Sequence, residues 1–225
     1  MMLRKINTLT RCTDSHAKNG HKADEWIAAS FSFRREEEMI DNWNVLVTLR
    51  TREKRSQRNL ETRAMARQLK RFGDFQWTKF LGVLVGRVQD HKAFFRQLVL
   101  WDEDQPEVLE PLARVVPIEH TFEFTVETFS DQLQEMVLHY VDYIDSGSFY
   151  VRLERRGHAG EIHSPTVEQD MDHVLQQHCM DNGWNPKVDF KDPDLIIVVE
   201  TIENVCGVGP ITRALRMKYP FIRVP

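Results

Sequence analysis

Short apolar runs and amphipathic stretches alternate along the chain, and their periods predict its elements. Asn44 to Arg50 (NVLVTLR) is apolar and β-branched, which predicts a buried strand. From about Ser56 to Phe72 the period changes: Leu60, Ala64, Met65, Leu69 and Phe72 share one helical face while Arg63, Arg67 and Lys70 line another. Gly73 breaks that helix, Phe80 to Val88 (FLGVLVGRV) predicts a second strand, and Asp90 can cap a helix carrying Phe94, Phe95, Leu98 and Trp101.

The acidic stretch Asp102 to Glu110, bracketed by Pro106 and Pro111, reads as a connector. Arg114 to Phe124 is strand-like, with Pro117 confining it to an edge or a bend. Phe129, Leu133, Met136, Val137, Tyr140, Val141 and Ile144 recur at helical spacing and predict one amphipathic helix. Phe149, Val151 and Leu153 then alternate with Tyr150, Arg152 and Glu154, a half-buried strand emerging at Arg155 and Arg156. Ser164 and Pro165 start a further helix, which Asn182 and Gly183 stop. Leu195 to Ile202 has the apolar density of a central strand, Glu203 and Asn204 suit a tight turn, and Val205 to Ile211 can return antiparallel. The fold class expected is α/β (α+β), the first part reading β-α-β-α, half of a ferredoxin-like sandwich. Residues 1–38 are polar, mixed in charge and aperiodic, which predicts a loose tail and makes Met39 a candidate start.

At 225 residues and 41% hydrophobic, the chain can bury one sizeable core or two small ones. A formal net charge of -4 argues against indiscriminate coating of nucleic acid, yet the charge is unevenly spread. Arg50 to Lys79 holds ten basic residues against three acids, whereas Asp102 to Asp145 holds twelve acids against Arg114 alone, so only the first can face phosphates. Cys12, Cys179 and Cys206 have no spacing of a disulfide framework or zinc knuckle. That fits a reducing cytoplasm, and no apolar run approaches a membrane span, so no membrane partner is expected.

Chemistry concentrates in SFYVRLERRGHAGEIHSP, Ser148 to Pro165, where Arg152, Arg155, Arg156, His158 and His163 flank two glycines, Gly157 and Gly160, and a helix start at Ser164. Guanidinium forks and a helix N-terminus suit an anion such as an RNA end; the plainer reading is a solvated hairpin tip with Ser164 as a cap. The Arg63, Arg67, Lys70 stripe can track a phosphate backbone or simply be solvated. Gly207 and Gly209 in CGVGP would let a backbone approach closely, but the run matches neither GxGxxG nor GxxxxGK[ST] and reads more simply as a turn. No cofactor motif emerges. His158 and His163 are five apart with no third ligand nearby, and Asp189, Asp192 and Asp194 lack the glycine and glutamate of a calcium loop, so no metal is expected. Cys206 reads as a small buried hydrophobe rather than a nucleophile.

These residues also carry a resemblance. From Ala113 onward the chain resembles a THUMP domain through ARVVP, FYVRLERRGH, the HSP helix start, VDFKDPDLIIVVE and ENVCGVGPI, in that order. NVLVTLRTREKRSQRNLETRAMARQL is similar to the N-terminal ferredoxin-like part of stand-alone THUMP proteins that act as tRNA acetyltransferase adaptors. Beyond the tail read over 1–38, which matches nothing in this resemblance, the resemblance implies a ferredoxin-like domain over 39–112 and a THUMP domain over 113–225. It implies tRNA binding at the acceptor stem and CCA end. The contacts it suggests are Arg114, Arg152, Arg155, Arg156, His158, His163, Ser164, Gly207, Gly209, Arg213 and Lys218, besides Arg63, Arg67 and Lys70. Because the chain stops about fifteen residues after GVGP, a non-enzymatic adaptor is expected, serving a separate tRNA-modifying enzyme. In eukaryotic and archaeal relatives that enzyme is an RNA cytidine acetyltransferase. Two alternatives stand beside it: an RNA-modifying enzyme using Cys206 or the His163 region, and a protein-interaction module without RNA.

Overall fold

The computed structural model describes residues 42–50 and 55–224, residues 55–59 by their backbone alone. The predicted tail over 1–38, the candidate start at Met39, and Cys12 lie outside the described residues. In chain order the first elements are strand β1 (Val45–Leu49), helix α1 (Arg55–Leu69), strands β2 (Gly73–Trp77) and β3 (Val83–Val88), and helices α2 (His91–Asp104) and α3 (Pro106–Leu109), followed by strand β4 (Leu112–Pro117). Their antiparallel sheet has the order β2-β3-β1-β4. Apart from the short α3, the order of elements is therefore β-α-β-β-α-β, with β2 the strand that the periodicity did not suggest.

Strand β2 escapes sequence reading because it lies at the sheet edge and buries only Phe75, leaving Asp74 and Trp77 exposed. Asp90 caps α2 as expected, accepting from the backbone N–H groups of Lys92 at 2.8 Å and Ala93 at 3.0 Å. Phe94, Phe95, Leu98 and Trp101 of α2 are buried, each full burial contributing about 1.5–3 kcal/mol. The acidic connector is partly helical: α2 runs through Asp104, and Pro106 opens α3 from the first-turn position it tolerates.

After β4 the chain crosses into a second sheet. Its elements are β5 (His120–Glu123), α4 (Phe129–Val137), a 3-10 turn (Leu138–Tyr140), α5 (Val141–Ile144), β6 (Ser148–Arg156), α6 (Ser164–Asp181), β7 (Lys187–Val188), β8 (Leu195–Ile202), β9 (Val205–Thr212) and α7 (Arg213–Lys218). The order is β5-β9-β8-β6-β7, with β8 parallel to β6 and antiparallel to β9. Pro117 ends β4 at the rim of the first sheet, so the strand-like run from Arg114 to Phe124 is two strands in two sheets. The single helix expected over Phe129 to Ile144 is tightened at Leu138–Tyr140, where the buried Tyr140 hydroxyl donates to the Val208 carbonyl at 3.3 Å.

Every residue of β8 is buried. Leu195, Ile197 and Val199 join the helices α4 to α6 in one core, while Ile196, Val198 and Ile202 join the core of the first sheet. A strand's alternating faces thus serve two cores at once. No helix among the described residues is long and apolar enough to cross a membrane.

Candidate nucleic-acid interface

The fourteen basic, polar and glycine positions singled out in the sequence do not gather on one face. Those nearest β8 are consumed internally. Arg114 is buried on β4, its Nη2 lying 3.2 Å from Glu200 Oε1 and its Nε donating to Thr48 Oγ1 at 3.5 Å. Arg156 pairs with the other Glu200 oxygen and lies 3.7 Å from Glu154 Oε1. Burial pushes the Glu200 carboxyl up, while the Arg156 and Arg114 guanidiniums pull it down. Arg114 and Arg156 are therefore corrected from surface candidates to structural cations, since a guanidinium shared with a buried carboxylate has no free fork for a phosphate.

Gly207 and Gly209 are buried in β9. A Cβ on Gly207 would lie 2.3 Å from Trp43 Cη2, and one on Gly209 would lie 2.5 Å from the Pro117 carbonyl oxygen. Their missing side chains admit parts of this protein, an indole and a backbone, so they too are corrected as polynucleotide contacts.

The loop after β6 is tied to itself. Arg155 donates to the Gly157 carbonyl, and His158, at φ 49°, sets Nδ1 3.0 Å from Glu161 Oε2 and Nε2 2.8 Å from Asn204 Oδ1. Arg152 faces Glu168 at 3.6 Å. His163 is exposed with Nδ1 2.8 Å from Thr166 Oγ1, and by backbone geometry it is the cap of α6, Ser164 being the first helical residue. Arg213 is held by Asp192 at 3.2 Å and Asp194 at 3.1 Å. The Ser148 hydroxyl and backbone N–H donate to Asp194 and, with the Arg213 and Arg216 guanidiniums, hold its carboxyl below the usual range. The aspartates that decorate this turn thus neutralise the arginine expected to bind RNA.

Among the described residues, cationic side chains line two open grooves. Arg63, Arg67 and Lys70 of α1, all exposed, line a groove of about 370 Å³ with Leu60, Ala66 and Trp77. Among the described residues no carboxylate pairs with any of the three cations. A second groove of about 780 Å³ runs between α2 and α7, with an apolar floor including Phe95, Leu215 and Tyr219 and a rim of Lys92, Arg96 and Lys218. Lys218 sits 5.3 Å from the centre of the Tyr219 ring.

Sequence reading passed over Lys92 and Arg96, although four residues apart on a helix they share a face. It also passed over Trp77, which gives no signal without knowledge that β2 is an edge strand. Among the described residues no three or more His, Cys, Asp or Glu side chains converge as a metal site. Cys206 is fully buried, and burial pushes its thiol well up, leaving it protonated and inaccessible.

No curated protein matches the sequence. Among solved structures, PH1313 from Pyrococcus horikoshii Ot3 superposes with a TM-score of 0.50 at 15% identity, covering 75% of this chain and 54% of that one. TrmN from Thermus thermophilus does so with a TM-score of 0.50 at 17% identity, covering 75% and 44%. A 4-thiouridine synthetase in an RNA complex with bound ATP reaches a TM-score of 0.48 at 11% identity, covering 75% and 41%. At such identities the likeness concerns fold. The expectation that the chain is not an enzyme is nonetheless overturned: the chain spans only about half the length of the structures it superposes on, so where it stops carries no information about catalysis. The THUMP domain family matches residues 123–209. From the end of β5 to the middle of β9, with the helices packed between, this chain carries a THUMP domain.

Proposed function

We propose that this chain binds tRNA at its acceptor stem and CCA end and holds it for a tRNA-modifying active site. The partner expected is a separate modifying enzyme of the RNA cytidine acetyltransferase kind, met in the reducing cytoplasm. The THUMP domain supports RNA binding, and the β-α-β-β-α-β order supports a ferredoxin-like reading of the preceding part. In this reading 39–112 and 113–225 are the two domains, with β4 starting at the junction and pairing back to β1.

The observation that carries the proposal is the row Arg63, Arg67, Lys70. Among the described residues these cations have no carboxylate partner, whereas Arg114, Arg156 and Arg213 are spent on carboxylates. A polyanion gains affinity from each phosphate neutralised by a free cation, through release of counterions.

The test is equilibrium binding of intact tRNA, and of tRNA trimmed of its CCA end, over a salt series. Affinity should fall with salt and weaken on trimming. Arg67→Glu and Lys70→Glu should each lower the salt slope by about one unit, while Arg213→Gln should leave it unchanged. Absence of RNA binding at low salt would overturn the proposal.

A further inference from the structure

We infer that the groove beside α1 is a subsite for one unpaired nucleobase, stacked on the indole of Trp77, with the flanking phosphates on Arg63, Arg67 and Lys70. The inference rests on the RNA-binding reading above and specifies the form of RNA that this surface takes.

Trp77 is the last residue of edge strand β2 and remains 44% exposed, and among the described residues its ring stacks on no other aromatic. Leu60, across the groove on α1, is 66% exposed. An exposed indole and an exposed leucine lining one groove offer a planar ligand an apolar surface, the role in which Trp is enriched at interfaces. The rim here is of one sign. Arg63, Arg67 and Lys70 follow at intervals of four and three, so they form a row about 10 Å long on one side of the helix.

The concavity decides between forms of RNA. Bases in a duplex are stacked on their neighbours and present only edges, so a ring that lines a groove cannot reach their faces. An unpaired base can enter, and its π-face has a partner in the indole whatever its identity. The groove volume of about 370 Å³ has room for a single nucleotide. An acidic peptide could satisfy the cations, but it would not supply a planar ring next to every charge.

The experiment uses the full chain and two probes, a short single-stranded oligoadenylate and a blunt RNA duplex of equal length. Trp77→Ala should weaken the single strand roughly 5- to 150-fold, the loss of one base–aromatic stack, and should leave the duplex unchanged. Trp77→Phe should retain most of the affinity, which also guards against misfolding as the cause. Lys70→Glu should weaken both probes. If the wild-type chain binds RNA yet Trp77→Ala binds the single strand equally well, or loses duplex binding to the same degree, the stacking subsite is overturned and RNA binding stands. If the wild-type chain binds neither probe nor tRNA at low salt, both readings fall.

Discussion

Arg114 on β4 and Glu200 on β8 meet at 3.2 Å with both side chains about nine-tenths buried or more, joining strands that belong to different sheets. Arg156 completes the set from the far side of Glu200. Three charges removed from water are tolerable because each guanidinium has a carboxylate oxygen. Removing the acid would leave two cations uncompensated.

Glu200→Ala should therefore cost about 3–5 kcal/mol of stability, read as a lowered urea midpoint at unchanged slope. Replacing Arg114, Arg156 and Glu200 together by apolar residues of similar volume should cost far less. A loss below about 1 kcal/mol for Glu200→Ala, the range of solvent-exposed pairs, would mean that the trio does not join the sheets.

Trp43 lies against the bare Cα of Gly207, where a methyl group would come within 2.3 Å of the ring. Gly207→Ala should destabilise by about 1–3 kcal/mol through overpacking of a fixed ring. Adding Trp43→Phe should recover part of the loss in thermal unfolding, because the smaller ring leaves room. Equal melting of Gly207→Ala and wild type would contradict this account.

Asp172 of α6 is buried and accepts the Val151 backbone N–H at 2.7 Å. Burial pushes its carboxyl up to about 7, with Val151 opposing and the charge of Glu168 adding. In the unfolded chain the group titrates near an ordinary value of about 4. Between these values the native state holds a proton that the unfolded state has released, so stability should fall as pH rises from about 4 to about 7. Asp172→Asn should flatten that part of the profile in urea unfolding series. An unchanged profile would show that Asp172 ionises normally in the native protein.

Much of the secondary structure was legible along the chain because burial leaves a period in the residue types. The aromatic face of α2 does so, while the unbroken β-branched run of β8 and the Ser164-Pro165 start of α6 are signals of composition and of helix initiation. Edge strand β2 left only Phe75 as a trace, and the tightened turn at Leu138–Tyr140 left none, since its residues keep the helical spacing.

The candidate site divides in the same way. That the cations cluster between Arg50 and Lys79, and that Arg114 is alone among the acids of Asp102 to Asp145, was a property of the chain itself, because local charge needs no folding to exist. Which arginines remain available was decided only in three dimensions. Glu200 stands 44 residues from Arg156 and 86 from Arg114, and Asp194 stands 19 from Arg213, so no local pattern could announce that these charges cancel. Pairing of strands brought them together, and the same pairing left Trp77 on an edge, open to water beside Arg63, Arg67 and Lys70.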